Sequence, residues 1–376
     1  MQKVRLLSVC DVYQPQTIAT KEFCPTGKYI VYGANGAIGH YTKYNHAESE
    51  ILMACRGATC GAINVSQPYS WINGNAMVIT PNGTIDISKK YLQYYLTYCN
   101  KEDIITGTAQ PQITRQNLKD FQIVICDIDK QNRIVTKIEE LFSELDNGVE
   151  TLKKTKQQLA VYSQSVLKEA FDRVSSKSDT RLIKDVCDDI KVGIVIKPAQ
   201  YYTNEAEGIK AFRSANVREF HINNTDWVYL SKEGHRCNLR SEIHKGDVLI
   251  VRSGYPGTSC VVTDEYNGCN AIDILIAVPN TNLVTPEYLC AFTNSPYGRK
   301  LVSEKKRGVA QAHLNVGGYS QMKIPVPDIS LQYQVVEKIE ADLSRCDNIE
   351  KTVDIALQQA EAMRQSILKK TFDGEL

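Results

Sequence analysis

The sequence predicts a mixed α/β (α+β) protein built as an internal repeat, in which a variable region is followed by one long helix, twice over. Three observations carry that reading. A gapless duplication joins the two halves, heptad-spaced apolar residues follow each variable region, and the variable regions hold short apolar runs broken by glycine, asparagine and proline.

The duplication is explicit. Gly107-Thr-Ala-Gln110 returns as Gly308-Val-Ala-Gln311, 201 residues later. The same offset holds through Ile123/Ile324, Asp127-Ile128/Asp328-Ile329, Gln131/Gln332, Val135/Val336, Lys137-Ile-Glu139/Lys338-Ile-Glu340, Ser165/Ser366 and Phe171-Asp172/Phe372-Asp373. Composition does not produce a gapless match of that length. Upstream the offset drifts, from Arg56-Gly-Ala58 against Arg252-Ser-Gly254 to Tyr91-Leu92 against Tyr288-Leu289, so the variable regions share a plan but not their loops.

In the first variable region the short apolar runs predict strands over Lys28–Tyr32, Ile51–Ala54 and Ala76–Thr80; in the second, over Asp247–Arg252, Ser259–Thr263 and Ile272–Val278. A short helix is expected over Ile87–Tyr98 and another over Pro286–Arg299, where Pro286 suits a first helical turn. The strand-like run Phe121–Ile125 closes the first region. In the second copy Ile324-Pro-Val-Pro-Asp328 cannot continue a helix, so Ser330 is the expected N-cap of the long helix, with Asp129 at the matching position.

Each long segment then carries a heptad stripe. Ile138, Leu145, Leu152, Leu159 and Val166 are seven apart, flanked by Ile134, Leu141 and Val149. The counterpart places Ile339, Cys346, Val353, Ala360 and Ile367 at the same spacing, with Ile349, Ala356 and Met363 as a second apolar line. Asp342 and Ala360 make this second seam thinner. Some forty residues at about 1.5 Å each give a rod of about 60 Å, longer than a small domain is wide. The two stripes are therefore expected to pack on one another, in register or antiparallel, rather than each on its own region.

The chain has 376 residues, net charge +1, twelve cysteines and six histidines. Its start, MQKVRLLSVC, lacks the apolar core of a secretory signal, and no run approaches the roughly 18 apolar residues that span a bilayer, so a cytoplasmic protein without membrane contact is expected. The cysteines stand singly, which favours free thiols over a disulfide scaffold. Cys55 and Cys60 can approach each other, but no second pair or spaced histidines complete a metal site. Gly33-Ala-Asn-Gly-Ala-Ile-Gly39 lacks the Lys-Ser/Thr of a phosphate loop and reads as turns in which glycine and asparagine supply left-handed conformations. Neither Ser253 nor Ser320 shows a paired base, and no catalytic signature stands out.

A near-neutral total neither advertises nor excludes a nucleic-acid binder. The best candidates are polar residues on glycine-rich turns. Arg56-Gly-Ala-Thr-Cys-Gly61, with Thr59, and Arg252-Ser-Gly-Tyr-Pro-Gly257, with Tyr255, end strand-like runs at equivalent places. There an arginine can fork onto a phosphate or a guanine edge, or anchor its own turn through carbonyl oxygens. Gln110, Gln112 and Arg115 correspond to the segment holding Gln311, His313 and Asn315, and Arg299, Lys300, Lys305, Lys306 and Arg307 add a basic patch ahead of the second copy. Lys43 is a further DNA-binding candidate. Gln110 and Gln311 are retained between repeats, which suggests support of the shared fold, while their neighbours differ.

Lys28-Tyr-Ile-Val-Tyr-Gly-Ala-Asn-Gly36, the Arg56-Gly-Ala58 turn, Gly107-Thr-Ala-Gln-Pro-Gln112, Gly308-Val-Ala-Gln311, Ile324-Pro-Val-Pro327, Leu331-Gln-Tyr-Gln334 and the ending Arg364-Gln-Ser-Ile-Leu-Lys-Lys-Thr-Phe-Asp-Gly-Glu375, in this duplicated order, resemble the specificity subunit of type I restriction-modification systems. The resemblance covers essentially the whole chain. It implies two target-recognition domains, 1–128 and 175–329, and two conserved spacer helices, 129–174 and 330–376, packed as an antiparallel coiled coil with a pseudo-twofold repeat. Each domain would read one half of an asymmetric, bipartite site in double-stranded DNA, and the helices would measure the gap. The resemblance also implies that the chain carries no catalytic centre or cofactor of its own. S-adenosylmethionine would sit on two modification subunits that methylate adenine and dock on the helices, and ATP and Mg2+ would be used by restriction and translocation subunits. The chain departs from a symmetric pattern where Val124-Ile-Cys126 faces Pro325-Val-Pro327. It also lacks the Asn-Pro-Pro-aromatic motif of adenine methyltransferases. A noncatalytic two-module scaffold for protein ligands remains the competing reading, with a nuclease or methyltransferase acting alone behind it.

Overall fold

The computed structural model describes residues 2–107, 110–176, 178–305 and 313–375. The chain divides into two compact units, Met1–Leu152 with Ile355–Leu376, and Lys153–Asp354. Each unit holds one variable region and part of both long helices.

In the first unit, Ile51–Ala54 and Ala76–Pro81 are the inner strands of an antiparallel sheet flanked by Cys10–Tyr13 and Ile63–Val65. Alternate side chains of the inner strands face different cores, as the two-residue period of a strand requires. Ile51, Met53, Met77 and Ile79 join the short helix Lys89–Tyr98, while Leu52, Ala76 and Val78 meet Tyr32 and Ile72 of a three-stranded sheet. This explains why Ile51–Ala54 is apolar throughout: both faces are covered. The second unit repeats the plan. Val248, Ile250, Leu275 and Ala277 pack toward the helix Pro286–Asn294, and Leu249, Val251, Ile274 and Ile276 toward Phe212 and Tyr266. A two-stranded ribbon completes each unit, Gln2–Arg5 with Gln122–Ile125 and Thr180–Leu182 with Lys323–Pro325.

Three local expectations are corrected. The strand expected from Ile272 begins at Ile274, because Asp273 sits in the left-handed region at φ 50°. The helix expected over Pro286–Arg299 is two helices, Pro286–Asn294 and Pro296–Lys305, since Pro296 holds Ser295 extended at ψ 160°. The Gly33–Gly39 run is a hairpin joining Tyr29–Gly33 to Gly36–Tyr41. Its left-handed residue is Gly36, at φ 107°, and not Asn35.

The long helices span Ile128–Ser175 and Ile329–Asp373. Both start earlier than expected. Asp127 and Asp328, not Asp129 and Ser330, supply the caps, each Oδ1 accepting from the backbone N–H three residues on at 2.8 and 2.9 Å.

In the first unit the start of the first helix (Ile134, Val135, Ile138) shares a core with the end of the second (Leu368, Phe372). In the second unit the end of the first helix (Val166, Leu167, Phe171, Val174) shares a core with the start of the second (Val336, Ile339). Within each unit the helices therefore run antiparallel. Arg364 pairs with Asp146 and lies over the Phe142 ring, 4.9 Å from its centroid, in one unit; Lys156 meets Glu350 at 3.2 Å and Asp354 at 2.7 Å in the other. Ile138, Val166, Ile339, Cys346, Val353 and Ala360 are buried, and Leu141, Leu145, Leu152, Leu159 and Ile367 are half-buried. The second apolar line faces outward: Ile349 and Met363 are exposed and Ala356 only half-buried.

The retained residues of the duplication explain themselves as joints. Gln131 and Gln332 are both fully buried. Gln131 accepts from the Ser88 backbone N–H at 2.8 Å and donates to the Asp86 and Cys126 carbonyls; Gln332 accepts from Thr285 N–H at 2.9 Å and donates to Leu283 and Pro327. Ser88 and Thr285 are the N-caps of the two short helices, so one glutamine in each unit ties a short helix to the entry of a long one. Phe372 lies against Tyr91 and Tyr95, as Phe171 lies against Tyr288 and Phe292. Asp373 accepts from the Tyr98 hydroxyl at 2.7 Å, and Asp172 from that of Tyr297. Each unit is thus sealed by the Phe-Asp pair of the long helix that ends within it.

Candidate nucleic-acid interface

In the first unit the strand Ile51–Ala54 runs into the turn at Arg56, and Thr106 and Pro111–Ile113 lie beside it. Gly57 N–H donates to Pro111 O at 3.0 Å, Ile113 N–H to Cys55 O at 3.0 Å, and Thr106 exchanges both backbone bonds with Gln112 at 2.9 and 2.8 Å. Gly107 makes the return possible: it sits at φ +87°, and a Cβ there would meet the Gln110 carbonyl oxygen at 2.7 Å. These bonds bring Arg56, Thr59, Gln110, Gln112 and Arg115 onto two adjoining loops, all with exposed side chains. Among the described residues the Arg56 guanidinium has no ion-pair partner.

The second unit has the same crossing with different chemistry. Leu314 N–H donates to Arg252 O at 3.1 Å, the counterpart of the Ile113 bond. Arg252 is itself engaged: its Nη1 pairs with Asp273 at 2.6 Å, its Nε donates to Leu314 O at 3.1 Å, and its side chain is only 16% exposed. Arg299 is a strut, donating to Pro256 O, Thr258 and Asn294 and pairing with Glu219 at 2.6 Å. Asn315 caps the short helix Val316–Ser320, accepting from Gly318 N–H at 2.7 Å. Ser253, expected to lack a paired base, shares a hydrogen bond with His313 that ties the two loops together.

What this unit presents outward is Tyr255, 84% exposed, with His313 and Lys300. Lys306, Arg307 and Gln311 lie outside the described residues, and so does the Lys305 side chain. Lys43 is exposed in the bend after the Gly36–Tyr41 strand, on a different sheet from Arg56. Sequence reasoning missed Asp273 and Glu219, the carboxylates that hold Arg252 and Arg299. Their sequence separations of 21 and 80 residues leave no local signal.

The thiols here are quiet. Burial and the neighbouring Cys55 push the Cys60 thiol above its ordinary range, and Cys55 Sγ donates to Asn75 O at 2.9 Å. Among the described residues no group of three or more His, Cys, Asp or Glu is placed to hold a metal ion, and no helix is long and apolar enough to cross a membrane.

Residues 1–160 match the family model described as the type I restriction modification DNA specificity domain. The chain is 24% identical over 288 residues to the type I restriction enzyme EcoBI specificity subunit of Escherichia coli, covering 70% of this chain and 60% of that one. It is 25% identical over 275 residues to the EcoKI specificity subunit of Escherichia coli strain K12, covering 68% and 58%. The chain thus spans about 60% of the length of these relatives. A chain from a structural study of complex assembly and conformational transition of the type I R-M system superposes with a TM-score of 0.72 at 18% identity, over 100% of this chain and 98% of that one, and so shares the fold.

Proposed function

We propose that the chain is a specificity subunit of the type I restriction-modification kind, a reading supported by the family match over residues 1–160 and by relatives at 24% and 25% identity, and that it is noncatalytic and reads an asymmetric, bipartite site in double-stranded DNA. Its target-recognition domains would be 1–128 and 175–329, joined by the two spacer helices. The observation that carries the reading is the doubled loop crossing, in which the Ile113 and Leu314 backbone bonds fix equivalent pairs of loops while the exposed side chains on them differ. A shared frame with unlike side chains suits two unlike half-sites.

In this reading Arg56, Thr59, Gln110, Gln112 and Arg115 face one half-site. Tyr255 and His313, with Gln311, face the other. Lys43, Lys300, Lys305, Lys306 and Arg307 contact phosphates. Arg252, Arg299 and Asn315 act as positioning residues behind those surfaces. Partner subunits supply the chemistry in the cytoplasm: two modification subunits with S-adenosylmethionine, and restriction subunits with ATP and Mg2+. The spacer helices give the modification subunits apolar purchase through Val161 (72% exposed), Tyr333 (60%), Ile355 (56%) and Met363 (53%).

The test is duplex binding by the chain assembled with its modification subunit, measured from 50 to 200 mM salt. Phosphate neutralisation makes the affinity fall by orders of magnitude across that range. Affinity that is absent or indifferent to salt would favour the protein-binding scaffold.

A further inference from the structure

The first unit contains a tyrosine-walled cleft that the loop crossing does not use. It is about 390 Å³ and lined by Lys28, Tyr29, Ile30, Tyr44, Gln67, Pro68 and Tyr69, within the size range of small-ligand sites. The Tyr44 ring stands edge-on between its neighbours, 5.1 Å from Tyr29 and 5.3 Å from Tyr69, at 65° and 89°. Tyr44 and Tyr69 are nonetheless 44% and 56% exposed, so much of their surface meets solvent.

The wall is built at a cost. Tyr69 holds φ at +53°, a conformation that an aromatic residue adopts only when its surroundings enforce it. The enforcing bonds are Tyr69 N–H to Ala47 O at 3.1 Å, with His46 and Ser70 exchanging backbone bonds at 3.1 and 3.0 Å beside it. Lys28 Nζ lies 5.5 Å from the Tyr29 centroid, placing a cation at the rim.

The matching sheet of the second unit has its aromatic cluster elsewhere, on the core side at Phe212, which stands where Tyr32 stands in the first unit. There Phe212, Trp227 and Tyr266 pack within 4.8–5.5 Å, Tyr266 is buried, and Lys210 Nζ sits 5.1 Å from the Trp227 centroid and 5.4 Å from that of Tyr266. In that unit the protein's own side chains satisfy the aromatic faces. At the Tyr29–Tyr44–Tyr69 cleft, by contrast, Tyr44 and Tyr69 keep open surface.

We infer that the Tyr29–Tyr44–Tyr69 cleft binds one unstacked nucleobase, with Lys28 on its phosphate and the Gln67 amide at the base edge. The chemistry selects this ligand. Exposed rings reward a flat partner, the lysine disfavours a cation, and a base inside an intact duplex has both faces covered by its neighbours, so the ligand is a bulged, extruded or single-stranded nucleotide. The inference rests on the DNA-recognition reading but is tested separately from it.

The experiment compares the full chain, assembled with its modification subunit, on a paired duplex and on the same duplex carrying one unpaired base, at fixed salt. Tyr44→Ala is expected to weaken binding to the bulged duplex about tenfold, the scale of one base–aromatic stack, and to leave the paired duplex unchanged. Tyr44→Phe keeps the ring and should retain wild-type binding, and matching thermal unfolding of the three proteins guards against a folding effect. Equal affinity of wild type and Tyr44→Ala for the bulged duplex overturns the site, even if paired DNA binds tightly. Ring-dependent binding of the bulged duplex alone, with no grip on paired DNA, upholds the site and counts against bipartite duplex recognition.

Discussion

Arg56 and Arg252 stand at the same place in the two units, after the same buried strand and beside the same returning segment, yet one is exposed and the other is held by Asp273 and a carbonyl. The sequence allowed both roles for both residues, and each repeat adopted a different one. The difference is set by Asp273, whose left-handed backbone at φ 50° places a carboxylate beside Arg252. A duplicated fold can therefore keep its frame while one distant side chain converts a recognition residue into a positioning residue.

The frame should prove symmetric and the loops should not, and the largest test is of the frame. Phe171→Ala and Phe372→Ala each remove a ring that is at most 7% exposed from between aromatic neighbours, and each should cost about 3–5 kcal/mol in denaturant unfolding. A large loss from one and none from the other would break the symmetry. Gln131→Leu and Gln332→Leu come next. Each leaves backbone groups at a helix entry without a partner and should cost about 1–3 kcal/mol, similar in the two units.

The arginines should then divide. Arg252→Ala is expected to destabilise by about 1 kcal/mol, the pair being discounted because Asp273 is half exposed. Arg56→Ala should change stability by less than about 0.5 kcal/mol while weakening specific DNA binding about tenfold. Equal stability losses would remove the contrast.

The smallest effect is on alkaline stability. The hydrogen bond to Asp373, then burial and the carboxylate's charge, push the Tyr98 phenol from 10.0 up to about 12. The folded state holds that proton more tightly than the unfolded chain does. Its contribution is therefore complete below pH 10 and is lost as pH rises from 10 to about 12. Tyr98→Phe should flatten that part of the profile, and Tyr297→Phe, facing Asp172, should act in the same direction.

The elements that local pattern controls were legible in the sequence. Ile51–Ala54 matches residue for residue, because a buried strand with two covered faces leaves an unbroken apolar run, and the heptad stripes locate both long helices. Boundaries set by single groups were less so: Asp127 and Asp328 cap one position before the helix, and Pro296 divides a helix whose periodicity continues across it. The Phe171-Asp172 and Phe372-Asp373 pairs were visible as the last retained residues, but their aromatic partners lie in regions with no fixed offset. At the candidate interface the exposed loop residues could be named, whereas the engagement of Arg252 and Arg299 depends on carboxylates that only the fold brings near. The Tyr29–Tyr44–Tyr69 cleft draws on the start of a strand and two separate loops and had no signature at all.

The most direct measurement is a map of adenine methylation in cells expressing the modification subunit with either the wild-type chain or Arg56→Ala, Gln112→Ala. The account predicts a split motif in which the double variant relaxes one half and leaves the other half and the spacing intact. Relaxation of both halves, or an unsplit motif, would contradict two independent readers on one duplicated frame.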